Sequence, residues 1–233
     1  MFNSEQFYSP DLQYFSLELQ KKIHTISTRE FVPKNNLLIN YEDIPGYIYF
    51  VHSGMFEVIY SISDGKELII KIACPDDILI GTALFTKNVR CSFSVKALQD
   101  SVVGRIERKE LEYLLKNNGK YAVEWLTLAN HTINMDFSRF LSSAFHDKKH
   151  LLYQMLYFLA MKHGIKTASE VKINVPLTNK RLANLTGVAR ENVNRILGDL
   201  RKQNKIHVKN GFITILDITY FETTEGFLYN KID

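Results

Sequence analysis

Four side chains with hydrogen-bonding chemistry, Arg190, Glu191, Asn194 and Arg195, stand at spacings of i, i+1, i+4 and i+5. On a helix this places all four on one face. The arginine fork matches the two acceptors of a guanine edge, glutamate accepts from the cytosine amino group, and a helix carrying such groups fits the major groove of DNA. On the opposite face Val193 and Ile196 are apolar, and with Leu182, Ala183 and Val188 upstream they form an inward set. The expectation is a helix-turn-helix whose outer face reads base edges. The alternative is a helical hairpin with a solvated basic face. It would require the inward set, the turn glycine, the polar face and a downstream Asn-Gly hairpin to coincide by chance.

Other groupings have types and spacings that could do chemistry. His146 and His150 are spaced i, i+4, as in helix-borne zinc sites, but the hydrolases of that kind place Glu directly after the first His. Here Asp147 follows, suited to cap the next helix, and Lys148 and Lys149 oppose a cation. No third ligand is identifiable, so no metal site is expected, and a metal-dependent hydrolase stays the minor alternative. Cys74 and Cys91 form no CxxC pair. They read as buried reduced thiols, with redox sensing as the other reading. No Walker loop, GxSxG or kinase signature occurs. The expectation is no enzyme, no catalytic residue and no cofactor.

The elements that position these residues follow from periodicity. Leu12, Phe15, Leu19, Ile23 and Ile26 predict a helix from Pro10 to Ser27. From Phe31 to about Arg105 the pattern alternates as in short strands: FVPKNNLLI, YIYFVHSGMFEVIYSI, KELIIKIA, DILIG, CSFSVKAL and SVVGRI. Turns are expected at Ser53-Gly54 and Asp64-Gly65. Many short strands with regular turns imply a small antiparallel roll or barrel. Its aromatics, Tyr47, Tyr49, Phe50, Phe56, Tyr60, Phe85 and Phe93, are read as filling the core, with an apolar ligand pocket as the other option. A short helix over Arg108–Lys116 ends near Asn117-Asn118-Gly119. A long one follows from about Lys120 to Phe145.

Leu126, Ala129, Ile133, Phe137, Phe140 and Ala144 form one stripe on the long helix. A continuous apolar seam of that length suits a second copy of the helix, so a homodimer is expected through Leu126, Ala129, Ile133, Phe137 and Phe140. The alternative is packing on the roll of the same subunit. Lys148–His163 reads as a helix capped by Asp147 and stopped by Gly164, and Val171–Val175 as a strand. Thr178 caps a short helix through Leu185, Thr186-Gly187-Val188 makes the turn, and the second helix runs from about Ala189 to Gln203. The hairpin Ile206–Ile215, turning at Asn210-Gly211, would form a wing.

Composition agrees. At 233 residues, 45% hydrophobic and 23% charged, the chain suits two globular domains. It has no apolar run long enough for a membrane span and no apolar signal core at its start, so a soluble cytoplasmic protein is expected. From Pro176 to Gly211 there are eight basic and two acidic residues, hence +6; with the whole chain at +4, the remainder carries −2. A basic module on a nearly neutral body is the electrostatic footprint of DNA binding. Lys180, Arg201, Lys202 and Lys209 are expected along the phosphate backbone.

The chain resembles the Crp/Fnr family of bacterial regulators over roughly Phe31 to Ile215. GVARENVNRILGDLRKQNKI is similar to the family's recognition-helix pattern, in which R-E-x-V-x-R-I-L is typical. Arg190, Glu191 and Arg195 match the base-reading positions, Asn194 fills the variable slot, and Thr178 matches a Thr that touches phosphate. Ala189 departs, because many members carry Ser or Thr there. YFVHSGMFEVIY, DGKE and DDILIGTALF resemble the cyclic-nucleotide-binding fold. The site itself departs from the family's pattern: the acidic position falls on Gly81, the Arg-Ser pair becomes Cys91-Ser92, and Arg90, one residue off, would point to the other face of a strand. Tight cyclic AMP binding is therefore not expected. The N-terminus lacks the cysteine cluster of the oxygen-sensing branch, and the chain looks nearer the virulence-regulator branch of Firmicutes.

The resemblance implies an α+β fold: an N-terminal antiparallel β-roll over 1–119 as a sensor-like domain, a long dimerisation helix over 120–145, and a C-terminal winged helix-turn-helix over 146–233. It implies a regulator that binds double-stranded DNA at an inverted repeat as a homodimer, with RNA polymerase and a small-molecule effector at the roll as further partners and no membrane. Glu57 and the loop near Asp64 are candidate exposed polymerase contacts. The rival reading is a β-roll sensor or scaffold that acts through protein contacts alone.

Overall fold

The computed structural model describes residues 11–61, 65–87, 90–167 and 170–224, with no account of the side chains of 142 and 222–224. The described residues form two compact units that meet within one long helix, one ending at Asn134 and the other starting at Met135.

The first unit is the expected β-roll, two four-stranded sheets. Strands β1 (Thr28–Val32), β2 (Leu37–Ile39), β3 (Tyr47–Ser53), β4 (Phe56–Ser61), β5 (Glu67–Ala73), β6 (Ile78–Leu79), β7 (Ser94–Ala97) and β8 (Ser101–Glu107) are arranged in the orders β1-β8-β3-β6 and β2-β7-β4-β5. Every pairing in both sheets is antiparallel. The strands turn apolar residues inward, and Ile48, Phe56, Val95, Val103 and Ile106 are essentially fully buried. Gly54 and Gly65 both have positive φ at their turns; Asp64, the other half of the second turn, lies outside the described residues.

Several expectations for this unit need correction. The N-terminal segment is not one helix. A 3-10 turn over Asp11–Tyr14 precedes helix α1 (Leu17–Ile26), and Ser16 caps α1 by accepting from the Leu19 amide. Contacts far along the chain make the break: Ser16 donates from its amide and its hydroxyl to the Glu124 carboxylate at 2.9 and 3.1 Å, and the Asp11 carboxylate takes the Lys71 ammonium and the Ile78 amide. The β7 strand begins at Ser94, later than expected, because Cys91 is held by backbone hydrogen bonds to Glu42 and Asp43. Arg90 is therefore not on a strand, and its guanidinium donates to the Glu42 carbonyl. Glu57 is buried near the start of β4, between two neighbouring strands, and offers no exposed contact. Of the aromatics only Phe50 and Phe56 are buried, whereas Tyr60 and Phe85 are exposed. Cys91 is buried as expected, and its thiol pKa is pushed up by burial; Cys74 is only half-buried.

Helix α2 (Arg108–Lys116) leads into α3 (Gly119–Phe145), both at the expected positions. Tyr121, Trp125 and Leu128 join the roll's core, and Trp125 stacks on Phe15 at 5.3 Å.

The second unit contains helix α4 (Lys148–His163), strands β9 (Gly164–Lys166) and β10 (Val171–Ile173), helices α5 (Asn179–Thr186) and α6 (Arg190–Lys202), strands β11 (Ile206–Lys209) and β12 (Phe212–Ile215), and helix α7 (Ile218–Thr224). The strands form one antiparallel sheet, β11-β12-β10-β9. Helix α7 is not signalled by apolar periodicity; Phe221 anchors it, fully buried 5.3 Å from the Tyr153 ring. Gly164 does end α4, but by another device than the left-handed cap expected. Its φ is −82°, and it opens β9 directly. A Cβ there would lie 2.0 Å from the Ala160 carbonyl oxygen and 2.4 Å from Val171 Cγ1. Gly164→Ala should cost about 2 kcal/mol through overpacking. A urea melt followed by far-UV circular dichroism checks this; an unchanged midpoint would show that the turn relaxes freely.

Candidate nucleic-acid interface

Thr178 caps α5 by accepting from the Arg181 amide at 3.1 Å. The helix ends at Gly187, which sits at φ +68° and donates its amide to the Ala183 carbonyl. A left-handed residue here re-aims the chain, and glycine adopts that conformation without steric cost. Helix α6 follows with Ala189 at its N-cap and no side-chain cap bond. Leu182, Leu185, Val188, Val193, Ile196 and Leu200 are buried, so the inward set is as expected except that Ala183 is half-buried.

All four expected base-reading residues, Arg190, Glu191, Asn194 and Arg195, are exposed on α6. Asn179 on α5 donates its side-chain amide to the Asn194 side-chain oxygen at 3.1 Å. This bond uses an acceptor of Asn194 and does not engage its two amide hydrogens. Arg195 lies 3.8 Å from Asp199, both well exposed. Such a pair is worth little, so the guanidinium can leave it for a better partner. Asn179 is a positioning residue that periodicity alone does not single out; only the pairing of two asparagines across the turn would have pointed to it.

Among the expected phosphate contacts, Thr178, Lys180, Arg201, Lys202 and Lys209 are all exposed. Two other cations counted in the basic module serve the fold instead. Arg181 donates to the Pro176 carbonyl, and Lys205 pairs with Asp217 at 3.0 Å beneath the Tyr220 ring.

The wing is the hairpin β11–β12, with Lys209 opposite Phe212. Asn210 at φ +52° and Gly211 at φ +78° give the two consecutive positive angles of a type I′ turn. The Gly211 carbonyl accepts from the Leu177 amide at 2.6 Å, which ties the wing tip to the residue before the Thr178 cap.

Outside this module, the expected dimer stripe on α3 is largely solvent-facing: Leu126 is 58%, Ile133 64%, Phe137 57% and Phe140 65% exposed, and Ala129 is half-buried. In the roll, a side chain at Gly81 would start with its Cβ 3.3 Å from the Trp125 ring, so a larger residue there requires the ring to give way. His146 and His150 stack face to face at 3.8 Å, and Asp147 accepts from the His150 amide as the α4 cap. Burial lowers the His150 pKa, with the His146 charge adding to it. Among the described residues no group of three His, Cys, Asp or Glu side chains is placed to hold a metal ion, and no helix is long and apolar enough to cross a membrane.

Comparisons with known proteins agree with this geometry. A model of the cyclic nucleotide-binding domain matches residues 29–118, and a model of the Crp-like helix-turn-helix domain matches residues 150–223. The chain is 33% identical over 198 residues to the anaerobic regulatory protein of Bacillus subtilis, which covers 85% of this chain and 83% of the relative. It is 24% identical to the fumarate and nitrate reduction regulatory protein of Vibrio cholerae over 86% of this chain and 79% of that one. Among solved structures, FixK2 from Bradyrhizobium japonicum superposes with a TM-score of 0.75 at 15% identity, over 86% of this chain and 98% of that chain. A mutant of CooA from Carboxydothermus hydrogenoformans gives 0.73 at 17% identity, over 89% and 94%.

The charge network beneath the wing yields a pH dependence. The hydrogen bond from Thr219, followed by that from Lys205, lowers the Asp217 pKa from 3.8 to about 2. A carboxylate depressed in the folded state stabilises it above its unfolded pKa, and that stabilisation is lost as pH falls through the folded value. The stability gap between the native protein and Asp217→Asn should be constant at neutral pH and shrink from 3.8 down to about 2. Urea titrations across that range check it, and a gap independent of pH would refute the assignment.

Proposed function

The chain belongs to the Crp/Fnr family of transcription regulators, and on that premise we propose that it binds an inverted-repeat operator as a homodimer. The observation that carries this reading is the exposed row Arg190, Glu191, Asn194 and Arg195 on a helix whose back is buried. In the proposed complex α6 enters a major groove, and its arginines and Glu191 read base edges. Thr178, Lys180, Arg201, Lys202 and Lys209 contact phosphates and set the register. Two protomers join along α3 through Leu126, Ala129, Ile133, Phe137 and Phe140, and the twofold axis then requires half-sites about 34 Å apart.

In this reading residues 1–119 form the sensor-like domain, 120–145 the dimerisation helix and 146–233 the DNA-binding domain. The protein acts in the cytoplasm, where the chromosome is, and RNA polymerase is its further partner. An effector at the roll would shift a pre-existing equilibrium between protomer arrangements. Cyclic AMP is not that effector: Gly81 and Cys91-Ser92 lack the carboxylate and the guanidinium that such a ligand requires. The names of the relatives support a role in gene control at low oxygen.

Arg195→Ala should weaken operator binding by about 1–3 kcal/mol and relax the base choice at one position of each half-site. Fluorescence anisotropy on a panel of single-base operator variants measures both; an equal loss on every sequence would reduce Arg195 to a phosphate contact. Phe137→Glu should convert the dimer to monomers in sedimentation velocity while the monomer stays folded, because it places a charge on the seam. Unchanged dimers would move the interface off α3.

A further inference from the structure

A cleft of about 330 Å³ opens in the first unit between α1 and strands β1, β3 and β8. This is at the lower end of the size range of small-molecule sites. Its base is apolar and buried, formed by Leu12, Ile23, Phe50 and Val51. Its rim is polar and exposed, formed by His24, Arg29, His52 and Asp76. Neither the nucleotide-type site of the roll nor the α6 face includes these residues.

The charges on the rim are informative. Arg29 and Asp76 line one cleft with opposite signs and do not pair with each other, and among the described residues neither has an ion-pair partner. The adjacent Asp77 does the local structural work: its carboxylate accepts from the Cys74 amide at 2.9 Å and lies 3.6 Å from the Lys71 ammonium. Asp76 is held only through its backbone, with its amide bonded to the Val51 carbonyl and its carbonyl to the Leu12 amide, both at 2.9 Å. Its side chain is left to the cleft. On the same rim, His24 of α1 and His52 of β3 meet edge to face at 5.7 Å, adding imidazole N–H donors.

A site for a simple anion would not retain a carboxylate on its rim, and a site for a simple cation would not retain a guanidinium. A ligand carrying both charges satisfies both groups. We propose that this cleft binds a free α-amino acid. Arg29, aided by His24 and His52, takes the carboxylate; Asp76 takes the ammonium; a short uncharged side chain lies over Leu12, Ile23, Phe50 and Val51. The turn before α1 connects the cleft to the long helix, because Phe15 follows Leu12 by three residues and stacks on Trp125, the single tryptophan of the chain.

The test is calorimetric titration of the full chain with each of the twenty L-α-amino acids, followed by the amide and the deaminated acid of the best binder. At least one amino acid should bind with a Kd of about 1 mM or tighter. The amide and the deaminated acid, each lacking one charge, should bind at least about tenfold more weakly. Arg29→Gln and Asp76→Asn should each weaken binding of the amino acid by about tenfold, with thermal melts unchanged. Asparagine is chosen because it tolerates the left-handed backbone of Asp76, φ +70°. No saturable binding by any of the twenty, equal affinity for the single-charge analogues, or affinity unchanged in both variants would overturn the proposal.

Discussion

Helices α5 and α6 are 8 and 13 residues long, too short for either to persist alone in water. They exist because each buries one face against the other and against the small sheet behind them. Leu182, Val193, Ile196 and Leu200 each lose nearly all their exposure, worth about 1.5–3 kcal/mol apiece relative to solvent. This burial also fixes which side of α6 faces out. The four polar side chains are oriented by the packing beneath them and by a left-handed residue at Gly187, and a rigid element presents them more precisely than a loop could. Around that pair the rest of the module acts as support: the Gly211 carbonyl holds the segment before the Thr178 cap, and Asp217 with Lys205 fastens α7 beneath the wing.

The same logic applies on a larger scale to α3. One side of its first half is consumed by the roll, where Tyr121, Trp125 and Leu128 are buried. The other side exposes Leu126, Ile133, Phe137 and Phe140 in a run with no charged residue between the apolar positions except Asp136 and Arg139. Exposed apolar side chains of this kind are unfavourable in water and favour a partner. The twofold symmetry that we propose follows from it, since a shared helical seam brings two copies of the α6 face to one DNA duplex.

Much of this was legible locally. The type I′ turn at Asn210-Gly211, the left-handed Gly187, the caps at Thr178 and Asp147 and the ends of α2, α3 and α4 all depend on residues within a few positions of one another, so spacing and turn chemistry suffice. The α6 polar face was legible for the same reason. What escaped reading depends on distant partners. The break before α1 is made by Glu124 and Lys71, the late start of β7 by Asp43, and the burial of Glu57 by strands on both sides of it. Gly164 carried the signature of a left-handed cap but is required by close approach of the Ala160 carbonyl and of Val171, and the second of these no local pattern reveals. Arg181 adds to the charge of the basic module, but its guanidinium is held by the Pro176 carbonyl.

The most direct measurement is selection from a random duplex pool by the purified ligand-free protein, with sequencing of the retained DNA. The account predicts an enriched inverted repeat with a G·C pair in each half-site and half-site centres about one helical turn apart. Enrichment of single half-sites without symmetry would contradict the dimer. No enrichment, either alone or with cell extract added, would contradict the assignment of the α6 face as a reader of base sequence.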